Sequence, residues 1–577
     1  MNFDVLIKGG TVVDGTGGAP FPADVGISGG RIAHVGAADG ATAGKTLNAS
    51  GMIVCPGIVD PHSHADLSIS KPDHHLILEP LIRQGITTIV TGNCGMSLAP
   101  VEEKNRDFIK DYIEAFTKFD FDREIQWRTV GEFLDALESR GVVLNTALLA
   151  PHGLLRINAM GASLSTAADD EIGSMKKALD AALEQGAIGL STGLQYFPGN
   201  QSDTRELIEL AGVVAKHGGI FTSHLRSYSN TLTLAVDEVL EVGEKTGAPV
   251  QISHIFWAPD AGLLGPLLRP AARALAGLSR WWSVPLPLHR PLAAVIKRVM
   301  DARDRGVRAG MDVMPTTTAF THMLAFFPPW ALMGGLGKIL ERLRDPDQRR
   351  KMLHSIEHGK MVWPHTGEDS WSLNFFRVMG WTCARIMSVG SEKNRHLEGR
   401  TLLGIAADAK KHPFDAACDL LVEENGCVLV FASMAHPEDA FTERTTFAPI
   451  RHPEVFISTD TVLMGFGKPS HLFYSCYPKF LCRYVFGMKM LPLEQAIRKI
   501  TSLPADHFGL KQRGRLEKNY HADVLVFDPE KLENRATFDN PRAYPSGIEH
   551  VFINGRHVLD GAAYNPVPRP GTVIRGA

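Results

Sequence analysis

Cysteine is scarce. Seven occur in 577 residues, an odd number with no Cys-x-x-Cys spacing. That excludes a disulfide scaffold and fits a reducing compartment. An excess of one charge is missing too: 60 Lys and Arg stand against 63 Asp and Glu, a net charge of −3. Neither a polyanion-binding surface nor an acidic tail is expected, so nucleic acid is excluded as a partner class. No uninterrupted apolar run reaches the roughly 18 residues that a spanning helix needs. The opening MNFDVLIKGGTVVDGTGG has no basic stretch followed by an apolar one, so no leader is expected and the cytoplasm is the expected location. Gly and Pro, 55 and 35 residues, stay below the roughly 25–30% that marks low complexity. What remains is 44% apolar and 21% charged, the balance of a globular chain with ample core.

The two ends are alike. Residues 4–12, 24–27 and 31–35 are short β-prone runs broken by Gly-Gly and Asp-Gly, and 522–527 and 550–553 read the same way. This pattern predicts one small β-sandwich built from both termini, residues 1–56 and 507–577. Between them, apolar runs alternate with helical patterns such as 169–184 and 204–216. The predicted strands are 52–59, 86–91, 142–149, 187–191, 219–223, 250–253, 310–314, 427–432 and 455–458. Repeated strand–helix units argue for a parallel sheet. Nine candidates for eight places predict an α/β fold, a (β/α)₈ TIM-like barrel over 57–506 with one extra strand in an insertion at about 258–410. A doubly wound open sheet is the structural alternative. Within the insertion, Leu267, Leu268, Ala271, Ala272, Leu275 and Leu278 share one helical face, with Arg269, Arg273 and Arg280 on another and Trp281-Trp282 at its end. A second apolar patch runs over 323–333. A helix packed on its own domain, a lid or homo-oligomer contact, and a membrane-surface contact are all compatible with this region.

The strongest signal is Asp60-Pro-His62-Ser-His64. Two histidines two apart at a strand end point to the same side and can share one divalent ion. Four other predicted strands also end in possible ligands: Cys94, His224, His254 and Asp460. In a barrel such ends converge on one mouth. Imidazole, thiolate and carboxylate together suit Zn²⁺, as one ion or two. Such an ion acidifies water and polarises a carbonyl. Asp460, the acid at a predicted strand end, is the candidate to take the water's proton and pass it to a leaving nitrogen.

These residues resemble the amidohydrolase superfamily, more narrowly its D-aminoacylase, or N-acyl-D-amino-acid deacylase, branch. The resemblance is carried by Leu6-Ile-Lys-Gly-Gly-Thr-Val-Val-Asp-Gly, Pro56-Gly-Ile-Val-Asp-Pro-His-Ser-His-Ala-Asp, Gly92-Asn-Cys-Gly and Gly189-Leu-Ser-Thr-Gly-Leu-Gln-Tyr-Phe-Pro-Gly. It continues through Ser223-His-Leu-Arg-Ser, Gln251-Ile-Ser-His, Thr501-Ser-Leu-Pro-Ala, His521-Ala-Asp-Val-Leu-Val-Phe and the run from Arg535. It implies a zinc-dependent hydrolase of a small-molecule linear amide. His62 and His64 match the family's first-strand pair. Cys94, His224 and His254 match its tighter zinc site, with Cys94 a candidate bridge between two metals. Asp460 matches its catalytic acid/base, and Tyr196 a tyrosine that helps hold substrate. The bridging lysine of many related barrels has no counterpart, since 187–196 contains no Lys.

Departures bear on substrate. Where the family continues the sixth-strand histidine with Lys two residues on, this chain has Phe256, followed by Trp257. Leu472 stands where the family's Arg aligns, Met314 replaces a Tyr, and Tyr228 replaces an acid. Two cations near the pocket are thus replaced by apolar residues, and a carboxylate left unpaired there is costly. The expected substrate is a hydrophobic or aromatic amide, with Phe256, Trp257, Phe473 and the Trp281-Trp282 segment as apolar walls. Ring opening of a cyclic amide, a catalytically inactive barrel scaffold, and other metal-dependent hydrolysis are the alternatives.

Overall fold

The computed structural model describes residues 1–576 apart from 115–119, 263–264, 279–286 and 435. Its N-terminal segment forms β1 (Asn2–Val12), β2 (Phe21–Ser28), β3 (Arg31–Gly36), β4 (Thr42–Asn48) and β5 (Ile53–Pro56). The β2–β3 turn is made by Gly29 and Gly30 at φ 57° and 76°, a left-handed pair that only glycine adopts freely.

A second set of strands runs parallel. In chain order these are β6 (Ile58–Asp60), β7 (Ile86–Thr91), β8 (Asn145–Leu148), β9 (Ala150–Pro151), β10 (Gly189–Gly193), β11 (Ile220–His224), β12 (Val250–Ile252) and β13 (Ala309–Val313). β6–β7–β8 pair in one sheet, and β9 through β13 pair in sequence in another. β8 and β9 are separated by one residue, so a single stretch of chain carries the pairing from one sheet into the next. Helices fill the returns. In Asp169–Glu184 the buried residues Ile172, Met175, Leu179 and Leu183 recur at three- and four-residue steps. Thr204–Lys216 starts on Asp203, whose carboxylate accepts from the Glu206 N–H at 2.8 Å. Each fully buried Leu or Ile on such a face contributes about 1.5–3 kcal/mol.

The inserted region lies later than expected. β13 falls inside 258–410, and the extra elements stand after it. They are β14 (Thr318–His322), β15 (Ala384–Val389) and β16 (Val428–Ser433), an antiparallel sheet of order β14–β16–β15. The predicted strand at 427–432 belongs here and not to the parallel run. The apolar patch at 323–333 is core: Met323, Phe326, Phe327 and Trp330 are buried. On the helix Gly265–Leu278, Leu268 and Leu278 remain exposed, and the Arg269 guanidinium donates to the Arg377 carbonyl at 2.8 Å. Trp281-Trp282 lies outside the described residues.

β17 (Phe456–Ile457) returns to the parallel set, pairing with β13. Just beyond it, Thr461 bridges to Ser63, the His64 N–H donates to the Thr461 carbonyl at 2.8 Å, and the Asp460 N–H donates to the His62 carbonyl at 3.0 Å. The last parallel strand therefore meets the first. β18 (Val524–Phe527), β19 (Ile548–Ile553), β20 (Arg556–Asp560) and β21 (Ala563–Tyr564) then extend the N-terminal sheet, joined through the β18–β5 pairing. Val5, Ile7, Val25, Ile27, Val54, Val524, Val526 and Phe552 form a core of their own there. The final strand, β22 (Val573–Ile574), leaves that sheet and pairs with β8, so 507–577 does not stay wholly with the terminal sheet. Among the described residues no helix is long and apolar enough to cross a membrane.

Candidate metal centre and substrate cavity

Five of the parallel strands, β6, β7, β11, β12 and β17, carry one or two of the predicted ligands at or just past their ends, and the six ligands come together. Cys94 Sγ lies 3.3 Å from His62 Nε2, 3.5 Å from His224 Nδ1 and 3.5 Å from His254 Nε2. The His224 and His254 nitrogens are 3.0 Å apart. Asp460 Oδ1 stands 3.4 Å from His62 Nε2 and 3.3 Å from His64 Nε2. Two overlapping groups result, His62–Cys94–His254 and His62–His64–Asp460, each with donor atoms within 4.8 Å of one another.

Backbone geometry explains the convergence. Cys94, His254 and Asp460 all have positive φ, 53°, 32° and 52°, sparsely populated values that persist where surroundings over-determine them. Around Cys94 the turn needs glycine: a Cβ on Gly92 would meet the Leu149 carbonyl oxygen at 2.3 Å, and one on Gly193 would meet the Cys94 carbonyl oxygen at 2.0 Å.

A second layer fixes the rings. His224 Nε2–H donates to Gln195 Oε1 at 2.9 Å, which leaves Nδ1 to face the cluster. Asp312 accepts from the His254 N–H at 2.9 Å, Ser458 at 2.6 Å and Gln251 at 2.7 Å. Asp60 does the same below the other side, accepting from Thr459 N–H and Oγ1 and from the Tyr477 hydroxyl. Burial raises the Asp60 carboxyl to about 7 against these hydrogen bonds.

The donor set suits a cation. Burial, and then the neighbouring imidazoles, push His62 and His224 well below the usual histidine range. Burial, and then the charges of Asp460 and Asp312, push the Cys94 thiol well above its usual value. Neutral imidazoles and a thiol denied stabilising charge are the state that a divalent ion converts to ligands. His62 and His254 each also bury an Nδ1 with no hydrogen-bond partner.

Above the cluster lies a partly open cavity. Tyr196, Phe256, Met314, Phe320 and Phe375 line it, and among the described residues no Lys or Arg does. The Thr321 hydroxyl meets the Tyr196 hydroxyl at 3.2 Å, and the Tyr196 ring lies 4.8 Å from that of His224. Phe256 stacks on Tyr228 at 4.3 Å. Trp257 sits aside, lining a neighbouring cavity of about 540 Å³ that shares Phe256 and Met314. Leu472 lines neither. It begins the helix Leu472–Lys479 and is fully buried in the core, so it is not a pocket wall. Phe473 beside it is buried too, edge-on to Phe320 at 5.1 Å. The cation of this stretch, Lys479, is taken up by Glu438, which also accepts from Thr316 and stands 3.5 Å from His471.

Gln195, Met96, Leu373 and Met387 line the cavity without any signal in the sequence. A further group, His550, His557 and Asp560, lies on the terminal sheet. Lys45 Nζ already sits 2.9 Å from both His557 and Asp560 there.

Comparison with known proteins agrees with the geometry. Residues 452–559 match the model of the amidohydrolase family. The chain is 32% identical over 575 residues to the N-acyl-D-glutamate deacylase of Alcaligenes xylosoxydans xylosoxydans, covering 99% of this chain and 96% of that one. It is 28% identical over 564 residues to the D-aminoacylase of the same organism, covering 97% and 96%. The N-acyl-D-glutamate deacylase of Bordetella bronchiseptica, solved with zinc and a phosphonate inhibitor, superposes with a TM-score of 0.74 at 28% identity over 100% of both chains. A D-hydantoinase shares the fold alone, at 15% identity and a TM-score of 0.50.

A cluster of imidazole, thiolate and carboxylate donors at the ends of parallel strands, on a chain of this kinship, defines a metal-dependent hydrolase of carbon–nitrogen bonds other than peptide bonds. The chain belongs to the amidohydrolase family, in the branch that contains D-aminoacylase and the N-acyl-D-amino-acid deacylases.

Proposed function

We propose that this protein is a zinc-dependent hydrolase of linear amides that are uncharged beside the scissile bond and hydrophobic or aromatic around it. Cys94, His62, His224 and His254 would hold one zinc ion, and His62, His64 and Asp460 would provide for a second. Zinc in that position supplies Lewis acidity, acidifying water and polarising an amide carbonyl. The chain's own residues do the rest. Asp460, its backbone tied to His62, holds at its carboxylate oxygen the proton lost by the attacking water and delivers it to the departing nitrogen. Gln195 and Asp312 keep His224 and His254 in register. Tyr196 borders the reacting carbonyl, and Phe256 packs the apolar part of the substrate. Ring opening of a cyclic amide has less support: β10 offers no lysine to bridge metals, and Cys94 occupies the space between the imidazoles.

The single observation that carries the substrate reading is a metal-facing cavity without a cation in its lining. Metal analysis together with a paired rate assay tests it. Zinc-loaded enzyme is given N-acetyl-D-phenylalanine and, separately, its carboxamide or anilide. The expected result is a higher kcat/KM on the uncharged amide; faster hydrolysis of the carboxylate overturns the substrate class.

For the architecture we infer a (β/α)₈ barrel from the eight parallel runs, with a β-sandwich from both termini around its separate core. The division is 1–56 and 507–577 for the sandwich, apart from β22, which pairs with β8, and 57–506 for the barrel. The pairing of the last strand with the first around Ser63 and Thr461 supports closure over an open sheet. The scarcity of cysteine, seven in 577 residues, fits a cytoplasmic enzyme.

A further inference from the structure

The metal cavity has a neighbour of opposite character. Met387, Leu429 and Val462 line both it and an outer cleft of about 1080 Å³. The outer cleft is lined by Lys71, Lys468, Arg542 and Asp73, with Ile77, Met464 and Phe466 between them, while Glu124, Asp539 and Glu398 act on the three cations from nearby. The Arg542 guanidinium is aimed by a 2.6 Å hydrogen bond to the Gly467 carbonyl, and the Lys468 ammonium stands 4.7 Å over the Phe538 ring. Among the described residues neither has a carboxylate within 4 Å. Burial, and to a lesser degree Arg385, lowers the Lys468 ammonium from its usual range although Asp539 opposes this.

Inside, among the described residues no Lys or Arg lines the cavity to pair with an anion beside Asp460. Outside, two or three cations focus an attractive field on the entrance. The two spaces share an apolar wall, Met387, Leu429 and Val462.

We propose that the outer cleft is a subsite for a carboxylate carried at a distance from the scissile amide. The amide sits at the metal cluster, an apolar segment passes along Met387, Leu429 and Val462, and the carboxylate ends between Lys468, Arg542 and Lys71. This rests on the amide-hydrolase reading above and moves the recognised charge from beside the reacting nitrogen to the far end of the molecule. Lys468 contributes a point charge, and Arg542 a planar fork suited to a bidentate carboxylate.

The test uses zinc-loaded enzyme and monoanilides of straight-chain dicarboxylic acids of increasing length, each beside its methyl ester. The acid is expected to have the higher kcat/KM, chiefly through KM, at one range of chain lengths, with the advantage shrinking as salt is raised. Lys468→Gln and Arg542→Gln are each expected to lower the acid-to-ester ratio by about three- to tenfold. Lys468→Glu should invert it. Equal rates on acid and ester, or a ratio that none of these variants moves, overturns the subsite. If neither anilide is hydrolysed, the amide-hydrolase reading falls instead. The subsite is then decided by calorimetric binding of acid against ester to Asp460→Asn protein: tighter acid binding that Lys468→Gln abolishes upholds it, and equal binding refutes it.

Discussion

Phe256→Lys places a cation where the family resemblance leads one to expect it, and its effect can be worked from the structure. Phe256 is half-buried, lines the metal cavity, and rests flat on Tyr228, 4.3 Å away and 12° from parallel. Losing that stack costs about 0.5–1.5 kcal/mol, and this penalty falls equally on every substrate. A lysine ammonium reaching into a cavity that, among the described residues, no other Lys or Arg lines would meet a substrate carboxylate in a charge-assisted hydrogen bond, worth about 1.5–3 kcal/mol. At about 1.4 kcal/mol per factor of ten, the ratio of kcat/KM for N-acetyl-D-phenylalanine over its carboxamide should rise by about 10- to 100-fold. Taking a ratio removes the shared stacking loss and any difference in active fraction. The assay is initial-rate kinetics on both substrates with wild-type and variant enzyme at matched zinc content. An unchanged ratio, in a variant that still folds and binds zinc, would refute the argument that this position sets the charge preference.

Other expectations follow from the same geometry. Cys94→Ala removes the one donor that touches His62, His224 and His254 together; zinc per chain, measured by mass spectrometry, should fall, and retained stoichiometry would show that the imidazoles suffice. Asp460→Asn should keep metal but lose about 10²- to 10⁴-fold in kcat. Burial works against the Glu438 carboxylate, yet Lys479 and His471 hold it well below its ordinary value of 4.5. A depressed carboxyl stabilises the fold above its unfolded value and ceases to as pH falls through the folded one. Urea midpoints should therefore drop below about pH 4.5 in wild type, more steeply than in Glu438→Gln; parallel curves would exclude this carboxylate as a source of acid sensitivity.

Much of the fold can be read from local pattern. The strand at 86–91 is legible residue for residue, because the β-branched run Ile-Thr-Thr-Ile-Val-Thr stands between Gly85 and Gly92. The strand ends that carry His62, Cys94, His224, His254 and Asp460 are legible for the same reason, since parallel strands deliver their C-terminal residues to one side. Partnership is not local. The run at 428–433 is a strand by composition, but nothing in it says that it pairs antiparallel with β14 and β15. Leu472 was expected in the pocket by alignment across the inserted sheet, and a helix start turns it into the core. Gln195 and Asp312 act through the rings that they touch, and such roles are invisible until the fold supplies the neighbour.

The seam between β6 and β17 also sets an order of events. Five of the clustered side chains lie within residues 62–254, whereas Asp460 follows the inserted sheet in the chain and meets His62 where the last parallel strand closes against the first. During synthesis, a chain stopped before residue 456 already holds the imidazoles and the thiol without the acid that would move protons. Metal capture and catalytic competence are thus separated along the chain, and competence arrives last.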